Sequence, residues 1–160
     1  MKIIHAERND LPRILDIQRL AYLSEAAIYD DYSLPPLLQS LDEINLEFES
    51  KTFLKADVDG GLVGSVRASL VGAACVIERL IVDPEFQKRG IGSALLAHVE
   101  LAFAQANRFE LFTGSRSAAN LRLYERHGYV RFREQTLSSA VTLVYMQKLR
   151  VQNSAPHATR

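Results

Sequence analysis

One cysteine, Cys75, stands in 160 residues, so no disulfide can form within the chain. It lies in the apolar run AACVI and reads as a small buried hydrophobe. No apolar run approaches the ~18 residues of a membrane span. The opening MKIIHAERND lacks the apolar stretch of a signal peptide, and a reducing cytoplasm is the expected compartment. The formal net charge is zero, which gives no support for a nucleic-acid partner. His5, His98, His127 and His157 are scattered without ligand spacing, so no metal is expected. Internal repeats and low-complexity tracts are absent.

Apolar residues make up 48% of the chain and charged residues 24%, the balance of a globular domain. One domain over residues 1–150 is expected, followed by a polar, flexible tail over 151–160. The zero net charge hides a division. Residues 1–60 carry 12 acidic and 6 basic side chains; residues 61–160 carry 7 and 13. Such a split is compatible with ligands of opposite sign on two parts of one domain.

KIIHAE reads as a first strand. DLPRILDIQRLAYLSEA places Leu11, Ile14, Leu15, Ile17, Leu20 and Tyr22 at mostly helical spacing, with Pro12 in the first turn. A loop over IYDDYSLPPLLQS and a helix over LDEINLEFES follow. TFLKADVDGG and LVGSVRASLV flank a hairpin turn, and AACVIERLIVDP is a third strand that Pro84 stops. IGSALLAHVELAFAQAN is an amphipathic helix, FELFTG a strand, and SAANLRLYERHG a helix that Gly128 caps. YVRFRE and AVTLVYMQKL close the domain as strands. This order predicts an α/β (α+β) fold with a mixed, mostly antiparallel central sheet flanked by helices.

The turn EFQKRGIG runs from the strand ending near Asp83 into a helix starting near Gly90. The first amides of a helix lack carbonyl partners and favour an anion. Glycine permits close approach of a ligand to the backbone, and Lys88 and Arg89 add positive charge. No lysine follows Gly92, which excludes a nucleotide P-loop, and Leu95 replaces the third glycine of a dinucleotide fingerprint.

IERLIVDPEFQKRGIGSALL resembles the acyl-coenzyme-A-binding segment of GNAT-type N-acetyltransferases. So does the later SAANLRLYERHGY, with Asn120, Tyr124, Gly128 and Tyr129. The resemblance covers roughly residues 2–149 and implies a GNAT-like acyl-CoA N-acyltransferase fold with acetyl-CoA as cosubstrate. It implies that Gln87, Lys88, Arg89, Gly90, Ile91, Gly92 and Ser93 hold the coenzyme's diphosphate. Leu80, Ile81 and Val82 would pair with the pantetheine arm, and Asn120 and Tyr124 would stand near the thioester. Tyr124 would be the acid: a phenol of pKa ~10 can donate to a departing thiolate whose conjugate acid lies near ~8.5–10. Glu78 is the candidate base, needed because an alkylamine of pKa ~10.4 is neutral in about one of 2,500 molecules at pH 7. The acidic half offers Glu25, Tyr29, Asp30 and Tyr32 to a cationic acceptor.

The reading that follows is an N-acetyltransferase passing the acetyl group to a primary amine by direct attack in a ternary complex. The acceptor is a small amine, a peptide or a protein. A non-catalytic acyl-CoA-binding sensor is the alternative. A homodimer paired through the last strand is compatible with this order of strands.

Overall fold

Local sequence decides most elements. In the computed structural model, which describes residues 1–150, β1 spans Lys2–His5 and α1 spans Leu11–Tyr29. Pro12 sits in the first turn of α1, and Asp30, in the left-handed region at φ 48°, ends it. A four-residue helix, α2 (Pro35–Leu38), interrupts the segment expected to be loop, its two prolines occupying the first turn, where no amide hydrogen is missed. α3 spans Leu41–Ser50 and opens with a reciprocal cap: Glu43 N–H donates to Ser40 Oγ and Ser40 N–H to Glu43 Oε1, both at 3.1 Å.

β2 (Thr52–Val58) and β3 (Gly61–Val71) form a hairpin through Asp59 and Gly60, both at positive φ. β4 spans Ala74–Val82, α4 Ile91–Ala102, β5 Arg108–Gly114, α5 Ala118–Arg126, β6 Val130–Thr136 and β7 Thr142–Leu149. α4 stops five residues short of the sequence expectation, where Phe103 leaves helical backbone and turns into the core. The tail expected over 151–160 lies outside the described residues.

The seven strands lie in the order β1-β2-β3-β4-β5-β7-β6, with β4 and β5 parallel and the other pairs antiparallel. This is the mixed, mostly antiparallel sheet that the sequence predicts. Leu95, Leu96 and Val99 of α4 and Leu121 and Tyr124 of α5 cover one face. Leu11, Ile14 and Ile17 of α1 and Ile44 of α3 cover the other.

Two irregularities position the site. In β4, Arg79 and Leu80 together face the single residue Val66 of β3, a bulge that shifts the side-chain alternation by one. Ile77 therefore packs beneath α4, whereas Ile81, four residues on, packs beneath α1. Gly64 is required here: a Cβ would stand 2.9 Å from the Ile81 carbonyl oxygen. Second, β4 and β5 pair through Ala74, Cys75 and Val76 alone and then diverge, while β5 stays paired to β7 as far as Gly114. The sheet opens between Ile77–Val82 and Leu111–Gly114.

Candidate active site

Two cavities occupy this opening. The first, about 520 Å³, runs over the C-terminal end of β4 and the start of α4. Leu80, Ile81 and Val82 form one wall; Gln87, Lys88, Gly90, Ile91, Gly92 and Ser93 form its end. Lys88 at φ 63° and Gly90 at φ 80° bend the chain so that α4 starts at this wall. Within α4 the first intrahelical bond runs from Ala94 N–H to Gly90 O, which leaves the amides of Ile91, Gly92 and Ser93 without helical acceptors. Arg122 and Arg126 of α5 line the same cavity with Lys88. Arg89 does not; its guanidinium lies over Phe86, 4.9 Å from the ring centroid. The turn is held from below by Asp83, which accepts from Glu85 N–H at 3.0 Å and pairs with Arg13 of α1 at 2.8 Å.

The second cavity, about 250 Å³, lies between the diverging strands. Ile77, Glu78, Arg79 and Leu80 line it from β4; Leu111, Phe112, Thr113 and Gly114 line it from β5. Tyr29 and Tyr124 also face it. Tyr22, Glu25, Leu80 and Asn120 line both cavities, so the two spaces meet at these four residues.

Glu25 projects from α1 to the start of α5, on the opposite face of the sheet. Ser117 Oγ donates to its Oε2 at 2.5 Å, and Asn120 Nδ2 approaches its Oε1 at 3.5 Å and Thr113 Oγ1 at 3.3 Å. Tyr29 is 2.7 Å from Ser117 Oγ through its hydroxyl, which also accepts from Arg116 N–H at 3.0 Å. Gly114 makes room for that phenol: a Cβ there would overlap it. Tyr124 is buried, and burial, reinforced by Tyr22 and Glu25, raises its phenol above the ordinary tyrosine range. It is therefore a neutral hydroxyl, able to donate, across the whole physiological pH range.

Glu78, the sequence candidate for the base, is tied to Lys51 at 3.0 Å, and Lys51 also pairs with Glu47 at 3.4 Å. Glu78 lines the second cavity alone and is absent from the junction. Asp30 and Tyr32 line neither cavity; both are exposed, Asp30 as the residue that ends α1. Among the described residues no cluster of histidine, cysteine, aspartate and glutamate could hold a metal ion.

Residues 49–131, just over half of the chain, match the family model for the acetyltransferase (GNAT) domain. The chain belongs to the GNAT acetyltransferase family. Solved GNAT structures share its fold. The PaiA N-acetyltransferase of Thermoplasma acidophilum, in complex with coenzyme A, is 18% identical with a TM-score of 0.76, over 94% of this chain and 100% of that one. YncA of Salmonella typhimurium, a putative acetyltransferase solved with acetyl-CoA, is 18% identical with a TM-score of 0.75, over 99% and 98%. The ribosomal-protein-S18-alanine N-acetyltransferase of Escherichia coli is 21% identical with a TM-score of 0.74, over 96% and 98%. The UPF0157 protein YqkA of Bacillus subtilis is 28% identical over 125 residues, 78% of this chain. The chain spans 36% of the length of that curated relative.

In this GNAT domain the structure gathers most of the residues singled out from the sequence, along with several that sequence reasoning missed. Tyr22, one more member of an apolar helical stripe in the sequence, stands at the junction. Ser117, which no motif in the sequence marks, hydrogen-bonds to both Glu25 and Tyr29. Arg79 carried no motif; its position depends on the bulge, which has no signature in a run of β-formers.

Proposed function

We propose that this GNAT protein transfers the acetyl group of acetyl-CoA to a primary amine by direct attack in a ternary complex. The observation that carries the reading is the meeting of two cavities at Tyr22, Glu25, Leu80 and Asn120, one floored by helix-start amides and cations, the other lined by Tyr124. The first cavity suits the coenzyme. The amides of Gln87 through Ser93 face a diphosphate, with Lys88, Arg122 and Arg126 supplying positive charge. The edge of β4 from Ile77 to Val82, without a partner strand on the β5 side, offers backbone groups to an amide-bearing arm. Acetyl-CoA supplies the activated acyl carbon and leaves as the free thiol.

The chain's own groups provide the rest. Backbone amides near Ile81 and Val82 polarise the thioester carbonyl. Glu25, at the junction, takes the proton of the attacking ammonium; we place the base there rather than at Glu78 because Lys51 already neutralises Glu78. Tyr124 donates to the departing sulfur. The nitrogen loses two protons in becoming an amide, one to Glu25 before attack and one as the tetrahedral intermediate collapses. One re-forms the thiol by way of Tyr124 and the other leaves to solvent, so both side chains are restored.

A non-catalytic acyl-CoA sensor would use the first cavity alone and leaves the second, with its buried phenol, without a role. A peptide or protein amine remains an acceptor class alongside small amines. The last strand, β7, is paired on both sides by β5 and β6 and cannot carry the expected dimer contact; a homodimer built on this end of the sheet would use the edge strand β6 instead. A cytoplasmic setting suits the single buried thiol.

Thiol release from acetyl-CoA in the presence of an amine panel tests the reading. Turnover is expected, and Tyr124→Phe is expected to lower kcat by about 10²–10⁴-fold with acetyl-CoA affinity unchanged. Thermal stabilisation by acetyl-CoA without turnover on any amine selects the sensor instead.

A further inference from the structure

Of the three charged residues that line the second cavity, Glu78 is paired with Lys51 and Glu25 accepts from Ser117 and Asn120, which leaves Arg79. Among the described residues it makes no ion pair, and its buried Nε has no hydrogen-bond partner. Neighbouring charges are engaged elsewhere: Glu78 with Lys51, Glu47 with both Lys51 and Arg67. The arginines and lysine of the first cavity are exposed and solvated, whereas Arg79 is partly buried, with its guanidinium 5.9 Å from the Tyr22 ring centroid. A guanidinium withdrawn from water without an acid loses solvation that a bound carboxylate would restore.

Its backbone is unusual as well. Arg79 adopts φ 53°, a left-handed conformation that costs a non-glycine residue energy and that clusters at functional sites. It does so within the β4 bulge, a device that re-aims a side chain. The effect is to line the second cavity with a cation and to keep it out of the first. The coenzyme's phosphates are therefore not its partner. Leu34, Pro36, Leu111, Val141 and Leu143 give the cavity an apolar side as well.

We propose that the acceptor carries a carboxylate beside its amine: Arg79 binds that carboxylate, Glu25 meets the ammonium, and the apolar wall takes the side chain. The substrate class is a free α-amino acid with an apolar side chain. A cavity of about 250 Å³ has room for one such molecule. The guanidinium fork suits a carboxylate geometrically, which an ammonium of lysine does not. This inference rests on the acetyl-transfer reading for its chemistry, but the binding site stands on Arg79 and the cavity.

The experiment compares L-leucine, L-leucinamide and 3-methylbutylamine, and likewise L-phenylalanine with its amide and phenethylamine, as acceptors at fixed acetyl-CoA. Wild type is expected to favour the free acids in kcat/KM by about 10²-fold, the scale of a hydrogen bond to a charged group. Arg79→Gln is expected to remove that preference through KM, leaving the amides and amines within about threefold and the KM for acetyl-CoA unchanged. Arg79→Lys, equally strained at this φ, controls for folding and is expected to recover part of the preference. Calorimetric binding of each acid to the CoA-loaded protein supplies a readout without turnover. Equal use of acid, amide and amine by wild type, or equal loss on all three in Arg79→Gln, overturns the carboxylate site. If amines turn over but no amino acid binds, the inference fails and the transferase reading survives. If amino acids bind in an Arg79-dependent way and no amine releases thiol, the transferase reading fails and the carboxylate site survives.

Discussion

Single side chains divide the work by protonation state. Burial keeps Tyr124 a neutral hydroxyl that can donate; on the proposed reading Glu25 would take the proton that an ammonium loses before attack. Glu25→Gln removes the acceptor of that proton and is expected to lower kcat/KM by about 10²–10⁴-fold, flattening the acidic limb of the pH profile. Glu78→Gln is expected to leave the shape of that limb intact, since its carboxylate is bound to Lys51. Full kinetic pH profiles of both variants distinguish the two assignments; a lost acidic limb in Glu78→Gln alone would return the base to β4. Cavity-lining residues that share a local turn were legible in the sequence, because Gln87, Lys88, Gly90, Ile91, Gly92 and Ser93 lie within one short segment; Arg89 of the same turn lies over Phe86 instead. Glu25 could be read as an acceptor-side carboxylate but not as the partner of Ser117, 92 residues away, because a contact across the open sheet leaves no local pattern.

Elements were legible where pattern and punctuation agreed. The capped helix α3 matches its expected range residue for residue, and the Asp59-Gly60 hairpin turn falls where its residues place it. What eluded the sequence was irregularity within elements: the β4 bulge, the early end of α4, and the short helix α2 within an expected loop. The turn before α4 has a testable backbone demand. A Cβ on Gly90 would touch nothing within 4 Å, so Gly90→Ala is strained by its φ of 80° alone. The expected cost is about 1–2 kcal/mol, which lowers Tm by roughly 2–8 °C. Because the turn's amides would face the diphosphate, a weaker calorimetric affinity for coenzyme A is expected along with it. Loss of stability with unchanged coenzyme affinity would separate this turn from binding.

Across the whole molecule, the acidic first part and basic remainder are partly reconciled inside the fold rather than by ligands. Arg67 of the basic part, 1% exposed, pairs with Glu47 of the acidic part at 3.0 Å and donates to Oε1 of Gln18 and of Gln39. Burial by itself would raise the Glu47 carboxyl, but Arg67, Gln39 and Lys51 carry it below the ordinary carboxylate range. A lowered folded pKa contributes stability above the unfolded value near 4.5, and that contribution drains away as pH falls through the folded value. Glu47→Gln is expected to cost about 2–3 kcal/mol near neutrality, and less in acid, where wild type loses the same contribution. Denaturant unfolding at neutral and at acidic pH measures both; a difference independent of pH would remove Glu47 from the acid response. The three residue pairs joining β4 to β5 have a mechanical consequence. They act as a rivet at one end of two leaves, and a ligand seated between the free ends clasps the other. On the proposed reading, loading is expected to slow amide exchange in both leaves, and a product would have to undo that clasp before leaving.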